Sequence, residues 1–274
     1  MEVRIPKFRK LRIEINSDCN RKCVFCPRGT DVSRWQPDTA NTKKKALIGK
    51  RMATEDVLSI MDQNIAFGFN AEVGFDFYNE VTLDERLLFF CEYANLQSSP
   101  VAIVTNGDSM RVDEKFTKEL FRLVSFISIS LYDYKDKDGR QKLMSEWDKY
   151  LVGLGIHKRQ YELVGEWAGF GNRAGLIDRR DKFLGGADKD KLVPIHANCK
   201  KIHSKLNIRY DGEVPICCED SHIRYSLGNV LKTSIEEVWY GEKMRKATEL
   251  LMQGNRAAIT PCSKCVKSVV RVRT

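Results

Sequence analysis

Apolar and polar residues alternate near the start of the chain. Leu11, Ile13 and Ile15 are separated by Arg12, Glu14 and Asn16. A period of two is that of a strand with one face buried. Asn16-Ser17-Asp18 ends the alternation with turn formers. The period changes at Thr54, where Val57, Ile60, Met61 and Ile65 recur at helical spacing behind Glu55 and Asp56. Gly68 stops that helix, and Val73-Gly74-Phe75-Asp76-Phe77 predicts a strand. Leu87, Leu88 and Cys91 mark the next helix face, with Cys91 expected as a core thiol. Val101-Ala102-Ile103-Val104 is an unbroken apolar run, as in a strand buried on both sides. A helix carrying Phe116, Leu120, Phe121 and Val124, a strand over 126–131, a helix through Leu143, Trp147, Tyr150 and Leu151, and a strand over 161–164 follow, the last read as the sixth. Alternating strands and helices predict right-handed βαβ units on a parallel sheet, an α/β fold.

The chemistry starts where the first strand ends. Cys19-Asn20-Arg21-Lys22-Cys23-Val24-Phe25-Cys26 is a C-x3-C-x2-C array, and strand ends are where α/β proteins place ligands. Three thiols without a local fourth do not complete a structural zinc site. On a four-iron cube they would leave one iron open to a substrate or cofactor. A zinc knuckle or an incidental cysteine cluster is the competing reading.

The array resembles the signature of radical S-adenosylmethionine (radical SAM) enzymes, with Phe25 at the aromatic position before the last cysteine. That resemblance implies that Cys19, Cys23 and Cys26 hold a [4Fe-4S] cluster whose fourth iron takes S-adenosylmethionine. It also implies reductive cleavage to a 5′-deoxyadenosyl radical that removes a substrate hydrogen atom. Tyr78-Asn79-Glu80-Val81-Thr82-Leu83-Asp84 resembles the family's Gly-Glu-Pro region, with Asn79 for the glycine and Val81 for the proline. Tyr78, Asn79 and Glu80 would then contact the cofactor's amino end. Thr105-Asn106-Gly107 is similar to a turn of the family, and Ser130 falls where the cofactor ribose is often met. The implied fold is a partial (β/α)6 TIM barrel, assigned to residues 1–175. Asn172-Arg173-Ala174-Gly175 resembles an element preceding the auxiliary-cluster domain, with Asn172 near the cofactor and Arg173 as the catalytic side chain.

Five more cysteines, Cys199, Cys217, Cys218, Cys262 and Cys265, fall in the tail. Cys262-Ser263-Lys264-Cys265 has knuckle spacing. Asp211-Gly212 between two apolar stretches predicts a hairpin. Gly228-Asn229 then breaks the chain, and Ser234 with Glu237 forms a capping box for one helix through Val238, Met244, Ala247 and Leu251. Four thiolates fit zinc or a fully ligated iron–sulfur cluster. The cysteine order resembles the twitch domain, a shortened SPASM domain, here residues 176–274. That implies one auxiliary [4Fe-4S] cluster on Cys199, Cys217, Cys262 and Cys265. Strand neighbours face opposite sides, so one of Cys217 and Cys218 should reach it, and spacing leaves open which.

Composition narrows the setting. Nine cysteines without a signal-peptide core point to a reducing compartment, the cytoplasm, and to metal rather than disulfides. No apolar run approaches the ~20 residues of a membrane helix. The net charge of +9 is spread along the chain, as on a solvated surface, with two local clusters, Lys43-Lys44-Lys45 with Lys50-Arg51 and Lys267 to Arg273, that could meet an acidic peptide, a phosphorylated metabolite or nucleic acid. No nucleic-acid motif accompanies these clusters. The polar stretch 27–53 is long for a connection and is expected to be a lid over the site or partly mobile. The resemblance implies oxidation or epimerisation of a small-molecule alcohol, such as an aminocyclitol or sugar, fed by an external flavodoxin or ferredoxin. The alternatives are a maturase of ribosomally made peptides and a non-catalytic iron–sulfur or zinc protein. The short segment before Cys19 leaves no room there for the peptide-recognition domain such maturases usually carry.

Overall fold

The computed structural model describes residues 4–21, 23, 26–27, 49–132, 134, 136–165, 174 and 198–265. Six short strands carry the main sheet: β1 (Lys10–Ile13), β2 (Glu72–Gly74), β3 (Ala102–Thr105), β4 (Phe126–Ser130), β5 (Tyr161–Val164) and β6 (Lys205–Ile208). Strand β1 lies between β2 and β6, and β4 between β3 and β5, all in parallel register. A parallel bridge from Val73 to Val101, with the Val73 N–H donating to the Pro100 carbonyl at 2.8 Å, joins the two halves. The order is therefore β6-β1-β2-β3-β4-β5. This is the expected partial α/β barrel.

The helices between the strands follow the periodicity. Helix α1 (Thr54–Ala66) buries Val57, Ile60, Met61 and also Asn64. The Asn64 side-chain amide exchanges two hydrogen bonds with the Ala71 backbone, 3.1 and 3.2 Å, so a polar residue takes a core place by being satisfied there. Helix α2 (Leu87–Leu96) buries Leu87, Phe90, Cys91 and Ala94. The short α3 (Asp108–Val112) leads into α4 (Glu114–Leu123), whose first turn is capped by the Asp113 carboxylate. Helix α5 (Lys137–Gly153) is capped by Asp136 and buries Trp147 and Leu151. Each large apolar side chain enclosed this way contributes about 1.5–3 kcal/mol. No described helix is long and apolar enough to cross a membrane.

Three local expectations are corrected. Tyr161–Val164 is the fifth strand; the sixth, β6, comes from the stretch expected as the first arm of a hairpin. The Asp211-Gly212 turn does form, with Gly212 at φ +80° and its N–H donating to Arg209. However, β7 (Glu213–Pro215) pairs antiparallel with β8 (Ser226–Asn229), so Gly228-Asn229 lies in a strand rather than breaking one. The single tail helix is two, α6 (Ile235–Trp239) and α7 (Glu242–Met252). Gly241 between them has extended backbone and serves as the cap of α7. The Ser234–Glu237 capping box is present in both directions.

The tail packs onto the barrel rather than hanging from it. Trp239 is buried and donates its indole N–H to the Pro6 carbonyl at 2.9 Å. Phe8 stacks on Phe69 and meets Trp239 edge-on. The Ile235 N–H, at the start of α6, donates to the Gln63 side chain of α1.

Candidate active site and auxiliary thiol site

The C-terminal ends of the barrel strands converge on a cavity of about 450 Å³. Cys19, Cys23 and Cys26 line it, with Tyr78, Asn79, Glu80, Thr105, Asn106 and Ser130 from the other strand ends. The cysteine loop owes its position to polar tethers. The Cys26 N–H donates to the Cys23 carbonyl at 2.9 Å, turning the last two thiols together. Arg21 clamps the Asp108 carboxylate through Nε and Nη2, and its Nη1 reaches the Ser130 carbonyl at 3.4 Å. Asn20 donates to the same Asp108 and accepts from Asn106 at 2.7 Å. Gly107 sits at φ +79°, and a Cβ there would lie 2.5 Å from the Trp147 ring. The 105–107 turn therefore requires its glycine on both counts.

Glu80 is the centre of the polar floor. Its Oε1 accepts from the Thr105 hydroxyl at 2.5 Å, from the Thr82 hydroxyl at 2.7 Å and from the Thr82 N–H at 3.1 Å. Its Oε2 accepts from the Asn106 N–H at 2.7 Å. Burial pushes this carboxyl up while those four donors pull it down. Its own N–H donates to Asp18, tying the floor to the start of the cysteine loop. Asn79 lines the cavity but spends its side chain locally, accepting from the Phe77 N–H and donating to the Phe75 carbonyl. It shapes the turn where glycine was expected. The fully buried Glu14 accepts from the backbone N–H groups of Tyr78 and Tyr210, linking floor and tail.

The tail thiols assemble from three separated segments. The Cys199 N–H donates to the Leu251 carbonyl at the end of α7, 3.2 Å. Cys262 lies on the short helix α8 (Thr260–Ser263), and the Cys265 N–H returns to the Cys262 carbonyl. Burial, then the neighbouring Cys199 and Cys265, push the Cys262 thiol up to about 12. Burial likewise pushes Cys217 up, with Cys218 and Cys262 adding and Lys201 opposing. Cys199, Cys217, Cys218, Cys262 and Cys265 are thus linked as electrostatic neighbours, and Cys218 also lines the first cavity. Lys201 salt-bridges Glu219 at 2.9 Å beside the pair.

Among the described residues, no three His, Cys, Asp or Glu side chains crowd one point as a single metal ion requires. A [4Fe-4S] cluster spreads its cysteine ligands over separate irons, and both thiol groups suit that donor set. Phe25, Asn172 and Arg173, and most of the expected lid, lie outside the described residues. Sequence reading missed Asp108, Asn20 and Arg21 as loop tethers. It had no local signal for Cys218, Tyr132 or Glu162 on the cavity wall.

Residues 199–266 match the family model of the SPASM domain, described as an iron–sulfur cluster-binding domain. The match covers the tail of the chain, behind a barrel whose cysteine loop resembles the radical SAM signature. The S-adenosyl-L-methionine-dependent 2-deoxy-scyllo-inosamine dehydrogenase of Niallia circulans is 24% identical over 267 residues, covering 94% of this chain and 92% of that protein. BtrN in complex with AdoMet and 2-DOIA has the same fold, with a TM-score of 0.72 at 22% identity over 97% of this chain and 95% of that one. anSMEcpe with bound AdoMet shares it more distantly, with a TM-score of 0.55 at 13% identity over 96% and 91%.

Proposed function

We propose that this protein is a radical SAM oxidoreductase that acts on a small-molecule alcohol of the aminocyclitol or sugar class. The observation that carries it is the one cavity in which the three array thiols meet Tyr78, Glu80, Thr105, Asn106 and Ser130. The relative with matching length, a 2-deoxy-scyllo-inosamine dehydrogenase, supports the substrate class.

In this reading Cys19, Cys23 and Cys26 hold the first [4Fe-4S] cluster, and Cys199, Cys217, Cys262 and Cys265 hold the second. When bound, these clusters and S-adenosylmethionine supply a 5′-deoxyadenosyl radical and a nearby electron acceptor. The chain's own residues do the rest. Tyr78, Asn79 and Glu80 form the ledge for the cofactor's charged end. Thr105 and Asn106 position Glu80, and Ser130 lines the cavity where it would meet the ribose. Asp108 fixes the thiol loop through Asn20 and Arg21. Phe25, Asn172 and Arg173 complete the set by their sequence positions. Arg173 orients the hydroxyl or stabilises an alkoxide, because its high pKa makes it a poor base.

The same reading divides the chain into a barrel over 1–175 and an auxiliary-cluster unit over 176–274. An external flavodoxin or ferredoxin supplies the electron, and oxygen-sensitive clusters suit the cytoplasm.

Anaerobic reconstitution with iron and sulfide tests the proposal. The expected result is about eight irons per chain, 5′-deoxyadenosine on reduction with S-adenosylmethionine, and a ketone from 2-deoxy-scyllo-inosamine or a related aminocyclitol. Intact clusters without 5′-deoxyadenosine would overturn it.

A further inference from the structure

We propose that Glu162 is a specificity-determining residue whose carboxylate takes the ammonium group of the substrate, so that the enzyme selects an amine-bearing alcohol over a neutral polyol. The inference rests on the radical reading above and narrows its substrate class.

The barrel is hollow where closed barrels are filled by branched side chains. Below the front cavity lies a second one of about 1040 Å³, with Lys10, Arg12, Glu72, Asp76 and Lys205 on its wall. Val104, Ser128 and Glu162 line both cavities. These three are register partners on β3, β4 and β5, so they form one row across the sheet. Strand alternation sets the direction of the Glu162 side chain. Its neighbour Tyr161 turns outward, where its ring meets Phe121 of α4 edge-on and its hydroxyl donates to Asp148 of α5 at 2.6 Å. Glu162 therefore faces the bore. Ser128 does the same, standing between Ile127 and Ile129 of the core. The next row up is Ser130 with Val164, which line the front cavity. Glu162 thus stands one row, about 7 Å, below the place proposed for the ribose.

The charge of Glu162 is uncommitted, unlike that of the other acids on these walls. Glu80 is held by its four donors. Glu72 is held by Arg12 at 2.6 Å and Lys10 at 3.1 Å, and Asp76 faces Arg12 at 3.8 Å. The front cation Arg21 is clamped on Asp108. Among the described residues, neither the Glu162 carboxylate nor the Ser128 hydroxyl has a hydrogen-bond or ion-pair partner. An ammonium carries three N–H donors and no acceptor. Glu162 and Ser128 offer it a charged and a neutral acceptor side by side. A hydroxyl in the same place would bring one donor and leave the carboxylate uncompensated.

The test compares 2-deoxy-scyllo-inosamine with the polyol that has a hydroxyl in place of its amine, on the reconstituted full chain with S-adenosylmethionine. The first readout is calorimetric binding to the unreduced holoprotein, where no turnover occurs. The wild type is expected to bind the amine at least about tenfold tighter than the polyol, and Glu162→Gln to bring the two within about twofold. Glu162→Asp keeps the charge and is expected to keep a preference for the amine. The second readout is the amine-to-polyol ratio of kcat/KM after reduction, which is expected to fall at least about tenfold in Glu162→Gln through the KM of the amine. A wild type without preference would overturn the proposal, and so would an unchanged ratio in the variant. Equal loss for both ligands would make the role merely structural, and a matching loss of S-adenosylmethionine affinity would make Glu162 a cofactor contact; either result overturns it. If no 5′-deoxyadenosine forms, the radical reading falls, while the binding ratio still decides on Glu162.

Discussion

The two thiol groups of this protein are built in opposite ways. The front group is local: three cysteines on one loop, brought together by chain connectivity and a single turn from Cys23 to Cys26. The tail group is tertiary: Cys199, Cys217 and the Cys262–Cys265 pair meet only after β6, β7 and α7 have packed. The front loop opens onto a cavity with polar tethers on its rim. In the tail, burial heads the causes that raise Cys217 and Cys262, while the cysteines of both groups are partly buried as residues. A site that opens onto a cavity suits a cofactor that must come and go.

That contrast is broken most directly at the front. Replacing Cys19, Cys23 and Cys26 together by alanine is expected to abolish 5′-deoxyadenosine formation and to remove about four of about eight irons. Iron counting and chromatography check this; loss of all irons would mean the two groups are not independent.

Replacing Cys262 by alanine is expected to do the converse. About four irons remain and 5′-deoxyadenosine still forms, but alcohol oxidation is lost. Unchanged ketone yield would rule out an electron-acceptor role for the tail.

The dependence of the tail on packing is sharpened by Trp239→Ala. That change removes a fully buried ring and its bond to Pro6, at a cost of about 3–5 kcal/mol. A lowered urea midpoint of the apoprotein would report it.

Smaller effects come from the tethers. Asp108→Ala leaves Arg21 and Asn20 without their shared acceptor, and charge-assisted bonds of this kind contribute about 1.5–3 kcal/mol. The expected outcome is weaker S-adenosylmethionine binding by roughly tenfold in equilibrium dialysis, with front-cluster iron retained. Smallest is Ser234→Ala, which removes one half of the capping box at α6 and costs about 1 kcal/mol of stability. Iron content should not change.

Much of the barrel was legible because its signals are local. Alternation at Leu11–Ile13–Ile15 and the apolar run at Val101–Val104 reflect which faces the strands bury, and both became parallel strands. The capping box at Ser234 and the turn at Gly212 were legible for the same reason, since each is decided within a few residues. The partner of β1 was not. Its pairing with β6 joins residues far apart in sequence, and nothing in a strand's periodicity names its neighbour. Nor does hydrophobic spacing distinguish one helix from two when a glycine stands between them, as at Gly241.

The site divides along the same line. The sequence by itself determined the front array, the glycine turn at 107 and the number of tail thiols, because covalent spacing limits how far apart those groups can be. It determined Cys91 as core, since Cys91 shares a helical stripe with Leu87. Only the tertiary structure decided that Cys218, next to Cys217, lines the front cavity, and that Tyr78 and Asp108 tie its walls. Adjacent residues with the same side chain carry the same local signal. Which way each one faces is set by the packing of segments distant in the chain.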